Sequence, residues 1–173
     1  ECARLGAMGE RESGLYNYYT VLAQGGRILR DEELAVAEYI SKARPDSVLE
    51  IAAGAAQLGH LLSLMGITAS ACENDKLRYD FARALGDHVG SACEIVLSDW
   101  QSLRLSDWKM LVTLNAASSF IFPSDTKWLV DYTASGGEFI IRPRQFGKSG
   151  IPVEIPGLEA TKVHEDVFHY RAR

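Results

Sequence analysis

The feature that most constrains this chain is a repeated change of period. Between residues 47 and 142, short runs of continuous apolar character alternate with segments in which apolar residues return every three or four positions. Continuous runs describe strands covered on both faces, and three- to four-residue steps describe helices with one buried stripe. Strands separated by helices are joined by crossovers, so they pair parallel within one sheet on which the helices pack.

The alternation can be followed along the sequence. Asp31 is placed to cap a helix in which Leu34, Ala37 and Ile40 recur, and Pro45 stops it. Ser47 to Ala53 is an apolar run broken only by Glu50, and it ends at Gly54. From Ala56 to Met65 the pattern is helical, with Leu58, Leu61, Leu62 and Met65 on one face and Gly66 as the stop. Thr68 to Glu73 returns to strand, and 76–85 is a helix by the spacing of Leu77, Phe81, Ala84 and Leu85. Cys93 to Ser98 and Met110 to Asn115 are further strands; Ser124 to Thr133, with Trp128, Leu129 and Tyr132, is a helix; Gly137 to Arg142 is the fifth strand. After Arg142 comes a loop containing Gly147, Gly150, Pro152, Pro156 and Gly157, then two close strands at 158–164 and 167–172. No helix fits between those two, so they pair antiparallel.

The expected fold is α/β: a doubly wound, mostly parallel sheet with helices on both faces and a C-terminal antiparallel hairpin. Residues 1–45 are expected to form N-terminal helices that pack on or cap the core, and 46–173 the ligand-binding domain. At 173 residues with 47% hydrophobic content, the chain can bury a core without disulfides or metal. Its formal charge of −5 disfavours long nucleic acid as a partner. The three cysteines, Cys2, Cys72 and Cys93, are widely spaced and read as buried thiols in a reducing compartment. No run approaches the roughly 18 consecutive apolar residues of a membrane span, so the expected location is cytoplasmic and no membrane partner is expected.

In a doubly wound sheet, ligands bind beyond the carboxyl ends of the strands, where strand order reverses. Four stretches lie at such ends. Glu50-Ile51-Ala52-Ala53-Gly54-Ala55-Ala56 is a turn of small residues leading into a helix N-terminus, where backbone can approach a ligand closely. Glu73 follows about 20 residues beyond Gly54, at the spacing where a carboxylate can accept from both hydroxyls of a ribose. Asp99-Trp100 sets an acceptor for an adenine amino group beside an aromatic plane, and Asn115 is followed by Ala116, Ala117 and Ser118. Singly these have plainer readings: Gly54 as a turn, Glu73 as a solvated strand end, Asp99 as a helix cap. Together and in order they favour a cofactor cleft.

Over residues 30–173 this order and spacing resemble the class I S-adenosylmethionine-dependent methyltransferases. That family's first motif is an acidic residue followed by alternating glycines, and Glu50, Ala52, Gly54 and Ala56 occupy its places. The resemblance implies S-adenosylmethionine as cofactor and a seven-stranded sheet. It implies that Gly54 lies against the methionine part, that Glu73 binds the ribose, that Asp99 and Trp100 hold the adenine, and that Asn115 faces the methyl-transfer site as the catalytic candidate. Two alanines stand where the family has glycine, and alanine favours negative φ. A degenerate binding or scaffold module is therefore one alternative, acting as a homodimer or with a partner subunit. A second, an NAD(P)-binding oxidoreductase, needs small residues at 52, 54 and 57, and position 57 is Gln.

A small-molecule acceptor is the expected substrate, because nothing in the sequence adds a large recognition element. Methyl transfer is an in-line displacement that requires alignment more than a strong base. Candidates for a base are His60, in the first turns of the helix after the glycine loop, and the cluster His164, Glu165, Asp166 and His169, which also reads as a solvated hairpin turn; His88 reads as a loop residue without a partner. Tyr16, Tyr18 and Tyr19 fit helix packing or a lid, and Arg142, Arg144 and Lys148 fit a solvated connector or contact with an anionic or sugar substrate. The four histidines do not pair at metal-ligand spacing, so no metal is expected.

Overall fold

The computed structural model describes residues 29–114, 127–142 and 154–173. Asn115 to Ser118, Tyr16, Tyr18, Tyr19, Cys2, Arg144 and Lys148 lie outside them. The chain divides after Arg30, and the elements named here lie in Asp31–Arg173.

Helix α1 (Asp31–Ala43) is followed by β1 (Val48–Ile51), α2 (Gln57–Leu64), β2 (Ala69–Glu73), α3 (Lys76–Val89) and β3 (Glu94–Leu97). Two short 3₁₀ turns, Trp100–Ser102 and Leu105–Asp107, lead to β4 (Met110–Thr113); α4 (Lys127–Ala134), β5 (Glu138–Ile141), β6 (Leu158–His164) and β7 (Val167–Ala172) complete it. The strands form one seven-stranded sheet in the order β3-β2-β1-β4-β5-β7-β6. Strands β1 to β5 pair parallel, and β7 pairs antiparallel with both β5 and β6. The order reverses between β1 and β4, which puts the switch point at the carboxyl end of β1.

Strand alternation sorts the core into two layers. Val48, Met110, Val112 and Ile140 face Val36, Ala37 and Ile40 of α1, Leu58 and Leu62 of α2, and Ala82 of α3. Leu49, Ile51, Leu111, Phe139 and Ile141 face the other way, against Leu129 and Tyr132 of α4 and the residues of the 3₁₀ turns. Helices therefore cover both faces. Each fully buried leucine contributes roughly 1.5–3 kcal/mol, so the central strands, buried at every position, anchor the sheet.

The helices differ from the expected pattern in detail. In α1 the buried stripe is Glu33, Val36, Ala37 and Ile40, and Leu34 is exposed. In α2, Leu58 and Leu62 are buried but Met65 is exposed. Helix α3 does not end at 85: it runs to Val89, so His88 is helical, and it buries Ala82 and Gly86 where Leu77 and Ala84 were expected. Gly86 looks like a breaker in sequence, but a Cβ there would stand 2.7 Å from Cε1 of His60, so the glycine admits that ring between helices. The stop is Gly90, in the left-handed conformation at φ 70°. Strand β3 lies at the sheet edge, which is why Leu97 is exposed on a strand expected to be covered on both faces.

Candidate functional site

Beyond β1 the chain makes a turn whose backbone is glycine-like at three positions: φ is +53° at Ala52, +59° at Gly54 and +52° at Ala56. The two alanines, for which negative φ is expected, thus hold the left-handed conformation, at a cost on the order of 1–2 kcal/mol each. Surrounding hydrogen bonds hold them there. Ala53 N–H donates to the Cys72 carbonyl (3.0 Å), Ala56 N–H to the Ala53 carbonyl (2.9 Å), and Gly54 N–H to Glu73 Oε2 (2.8 Å). Behind the loop, Gly59 N–H donates to Glu50 Oε2 at 2.8 Å. Gly59 is obligatory for that approach, because a Cβ would lie 2.9 Å from Cys93 Sγ and 3.3 Å from Glu50 Oε2. The close contact of helix with sheet is therefore made at 59 rather than at Gln57.

Glu73 ends β2 and is 3% exposed. Its carboxylate accepts three backbone N–H groups: Gly54 through Oε2, and Asn74 (3.0 Å) and Asp75 (2.9 Å) through Oε1. A carboxylate offers about four lone-pair sites, so one remains. After β3, Asp99 Oδ1 accepts Gln101 N–H at 3.1 Å and caps the first 3₁₀ turn, which leaves Oδ2 for another donor. Trp100 packs against Trp128 of α4 with ring centroids 5.0 Å apart and tilted by 50°.

These segments enclose a cleft of about 190 Å³ lined by Ala52, Cys72, Asn74, Ser98, Asp99, Trp100 and Gln101, above the carboxyl ends of β1, β2 and β3. Of the residues expected to bind a cofactor, Ala52, Asp99 and Trp100 line it; Glu73 does not, and is buried between the lining residues Cys72 and Asn74. Gly54 lies beside it, with open space where a side chain would be. Glu50 (4% exposed) and Ala56 (0%) are buried and support the loop from behind. Asn115 lies outside the described residues. Asn74, Ser98 and Gln101 also line the cleft and were not singled out in the sequence, and Cys72, expected only as a buried thiol, lines it too; their adjacency to Glu73 and Asp99 at strand ends was the available clue. Burial pushes the Cys72 thiol up to about 11, so it is a neutral, apolar part of the floor at neutral pH.

The candidate bases lie elsewhere. His60 is 3% exposed, with Nε2 2.9 Å from the Ala82 carbonyl and Nδ1 3.0 Å from Ser91 Oγ. Burial holds its pKa below the usual histidine value, against the pull of the Ala82 carbonyl, so it is a neutral core residue joining α2 to α3. The hairpin cluster separates: His164 and the turn at 165–166 end β6, whereas His169 is buried against Tyr39 and Glu138. The Tyr39 hydroxyl is 2.8 Å from His169 Nδ1, and Glu138 Oε2 lies 2.9 Å from Nε2 without hydrogen-bond alignment. Arg142 is paired with Glu32 of α1, and among the described residues its buried Nε has no hydrogen-bond partner. Among the described residues no group of His, Cys, Asp and Glu side chains could hold a metal ion, and no helix is long and apolar enough to cross a membrane.

No protein-family model and no curated protein sequence matches this chain. Among solved structures it is similar to a candidate caffeoyl-CoA O-methyltransferase from Staphylococcus aureus, with 10% identity, TM-score 0.63 and coverage of 91% of this chain and 90% of that one. It is also similar to a TehB-like SAM-dependent methyltransferase from Corynebacterium glutamicum, with 15% identity, TM-score 0.59 and coverage of 94% and 97%. A third is a coclaurine N-methyltransferase bound to N-methylheliamine and S-adenosylhomocysteine, with 12% identity, TM-score 0.51 and coverage of 66% of this chain and 37% of that one. The fold is that of the class I methyltransferases.

Proposed function

We propose that this chain is an S-adenosylmethionine-dependent methyltransferase acting on a small-molecule acceptor. The observation that carries the reading is the cleft, where one aromatic wall, Trp100, faces polar groups on Asn74, Ser98, Asp99 and Gln101. That combination suits a nucleoside, which has a flat base and a hydroxyl-bearing sugar. Asp99 Oδ2 can accept from an adenine amino group, and the remaining lone-pair site of Glu73 can accept from a ribose hydroxyl. The loop 52–56 would carry the methionine part, because Gly54 leaves open space on its side-chain side. Bound S-adenosylmethionine supplies an electrophilic sulfonium methyl. The chain's own work is alignment: the clamped loop and capped turn fix the ligand's position in advance, so that an acceptor need only be brought into line. The names of the similar structures, a caffeoyl-CoA O-methyltransferase and a coclaurine N-methyltransferase bound to N-methylheliamine, support a small acceptor.

A second reading, a module that keeps the cleft but has lost methyl transfer, is favoured by one observation: the methyl of Ala52 lines the cleft at a place where the family has glycine. Cytoplasmic location and action as a homodimer or with a partner subunit belong to the proposal. The deciding measurement is calorimetric titration with S-adenosylhomocysteine, comparing the native chain with Glu73→Gln. Binding by the native chain that weakens at least about tenfold in the variant supports the cleft. No binding by the native chain overturns the reading, and binding without turnover against a panel of small amines, thiols and hydroxyls selects the second.

A further inference from the structure

Among the described residues Trp100 is the only aromatic in the lining of the cleft; Asp99 caps its backbone, but the ring its indole packs on belongs to another element. Trp100 opens a three-residue 3₁₀ turn, whose hydrogen-bond geometry is poorer than that of an α-helix. The restraint comes from another element. Trp128, in the first turn of α4, packs obliquely on Trp100, with centroids 5.0 Å apart and planes tilted by 50°, and Trp128 in turn meets Phe139 edge-on at 5.8 Å with planes 82° apart. Phe139 is wholly buried in β5. Both spacings fall in the range favoured for aromatic pairs. The three rings therefore form a ladder from the sheet interior to the cleft wall, and Trp128 is the rung that does not itself line the cleft.

We infer that Trp128 is a positioning residue: it fixes the plane of Trp100 so that the base of a bound nucleoside meets a ring already set for stacking. Without it, Trp100 would have to be ordered at the moment of binding, which weakens association even though every lining residue is unchanged. The ladder also joins the segment after β3 to the helix that follows β4. The two rings, close and oblique, should couple optically and give a tryptophan couplet in circular dichroism. The ligand part of this inference rests on the function proposed above; the pairing of the rings does not.

The test uses Trp128→Leu and Trp128→Phe, with Trp108→Phe as the control tryptophan. The couplet should be present in the native chain and in Trp108→Phe and absent from both Trp128 variants. Affinity for S-adenosylhomocysteine should fall about tenfold in Trp128→Leu and about threefold in Trp128→Phe, whose smaller ring restores part of the stack, and stay unchanged in Trp108→Phe. If the leucine variant does not hold its fold, the threefold loss in the phenylalanine variant decides. Unchanged affinity in folded Trp128 variants, or a couplet that survives the loss of Trp128, overturns the inference. A native chain that shows the couplet but binds no S-adenosylhomocysteine overturns the function and the ligand half of the inference together, and leaves the pairing of the rings established.

Discussion

The two edges of the sheet use acidic side chains in opposite ways. At the carboxyl edge, acids accept backbone N–H groups: Glu50 from Gly59, Glu73 from Gly54, Asn74 and Asp75, Asp75 from Leu77 and Arg78, and Asp99 from Gln101. At the amino edge, charged and polar side chains close on one another: Lys109 lies 3.7 Å from Glu138, Glu138 touches His169, and His169 meets Tyr39. The first arrangement shapes main chain around a cleft and leaves acceptor capacity over. The second sets side chain against side chain, leaves His169 Nε2 buried without a hydrogen bond, and seals α1 to β5 and β7. An acid that organises backbone builds a site; an acid that pairs with side chains builds a joint.

The comparison can be broken at either edge. The largest effect is expected from Glu73→Ala, which deprives three N–H groups of their acceptor; a stability loss of about 3 kcal/mol should appear in urea denaturation. A loss under about 1 kcal/mol would mean that the loop does not depend on this carboxylate. Gly59→Ala should cost about 2 kcal/mol by forcing a methyl between Cys93 and Glu50, read the same way; a neutral result would show that helix α2 can slide away from the sheet.

At the amino edge the lever is pH. Burial lowers the pKa of His169 below the usual 6.5, outweighing the opposing pull of Glu138, and burial does the same to His60. Glu138, Tyr39, Arg171 and Glu159 are the other titratable groups around His169. The unfolded chain then binds more protons than the folded one as pH falls, so this stability is fully present above about pH 6.5 and is lost below it toward the depressed folded values. Urea midpoints measured across that range should fall on acidification, and His169→Gln should flatten the dependence; a variant with an unchanged slope would assign the effect to His60. The smallest effect has the opposite sign. Ala52→Gly should stabilise by about 0.5–1 kcal/mol, since glycine takes the left-handed conformation without strain, and thermal melts would show it.

Much of this architecture is written in the sequence. The change of period locates the five parallel strands, and Val167 to Ala172 paired with Leu158 to His164 is the expected hairpin. The residues after β1 and β3 are recognisable because only strand ends in such a sheet face a ligand. What escapes the sequence is tertiary. His169 gains its partner from Tyr39, 130 residues away. Leu34 is apolar and in phase, but α1 is rolled so that Glu33 and Val36 go inward instead. The helix expected over 76–85 runs on through Gly86, where His60 takes the space of a side chain. Asp99 satisfies two readings at once, since its cap uses one oxygen and the cleft can use the other.

The left-handed alanines at 52 and 56 have a consequence for how such loops are recognised. Their shape is specified by acceptors standing 9 and 19 residues from the donors they hold, so it survives the replacement of the residues that usually announce it. A pattern that counts glycines passes over this loop, whereas one that asks which carboxylates reach back to which amides finds it. The identity of the turn is kept in its counterparts, and those can stay constant while the turn itself drifts.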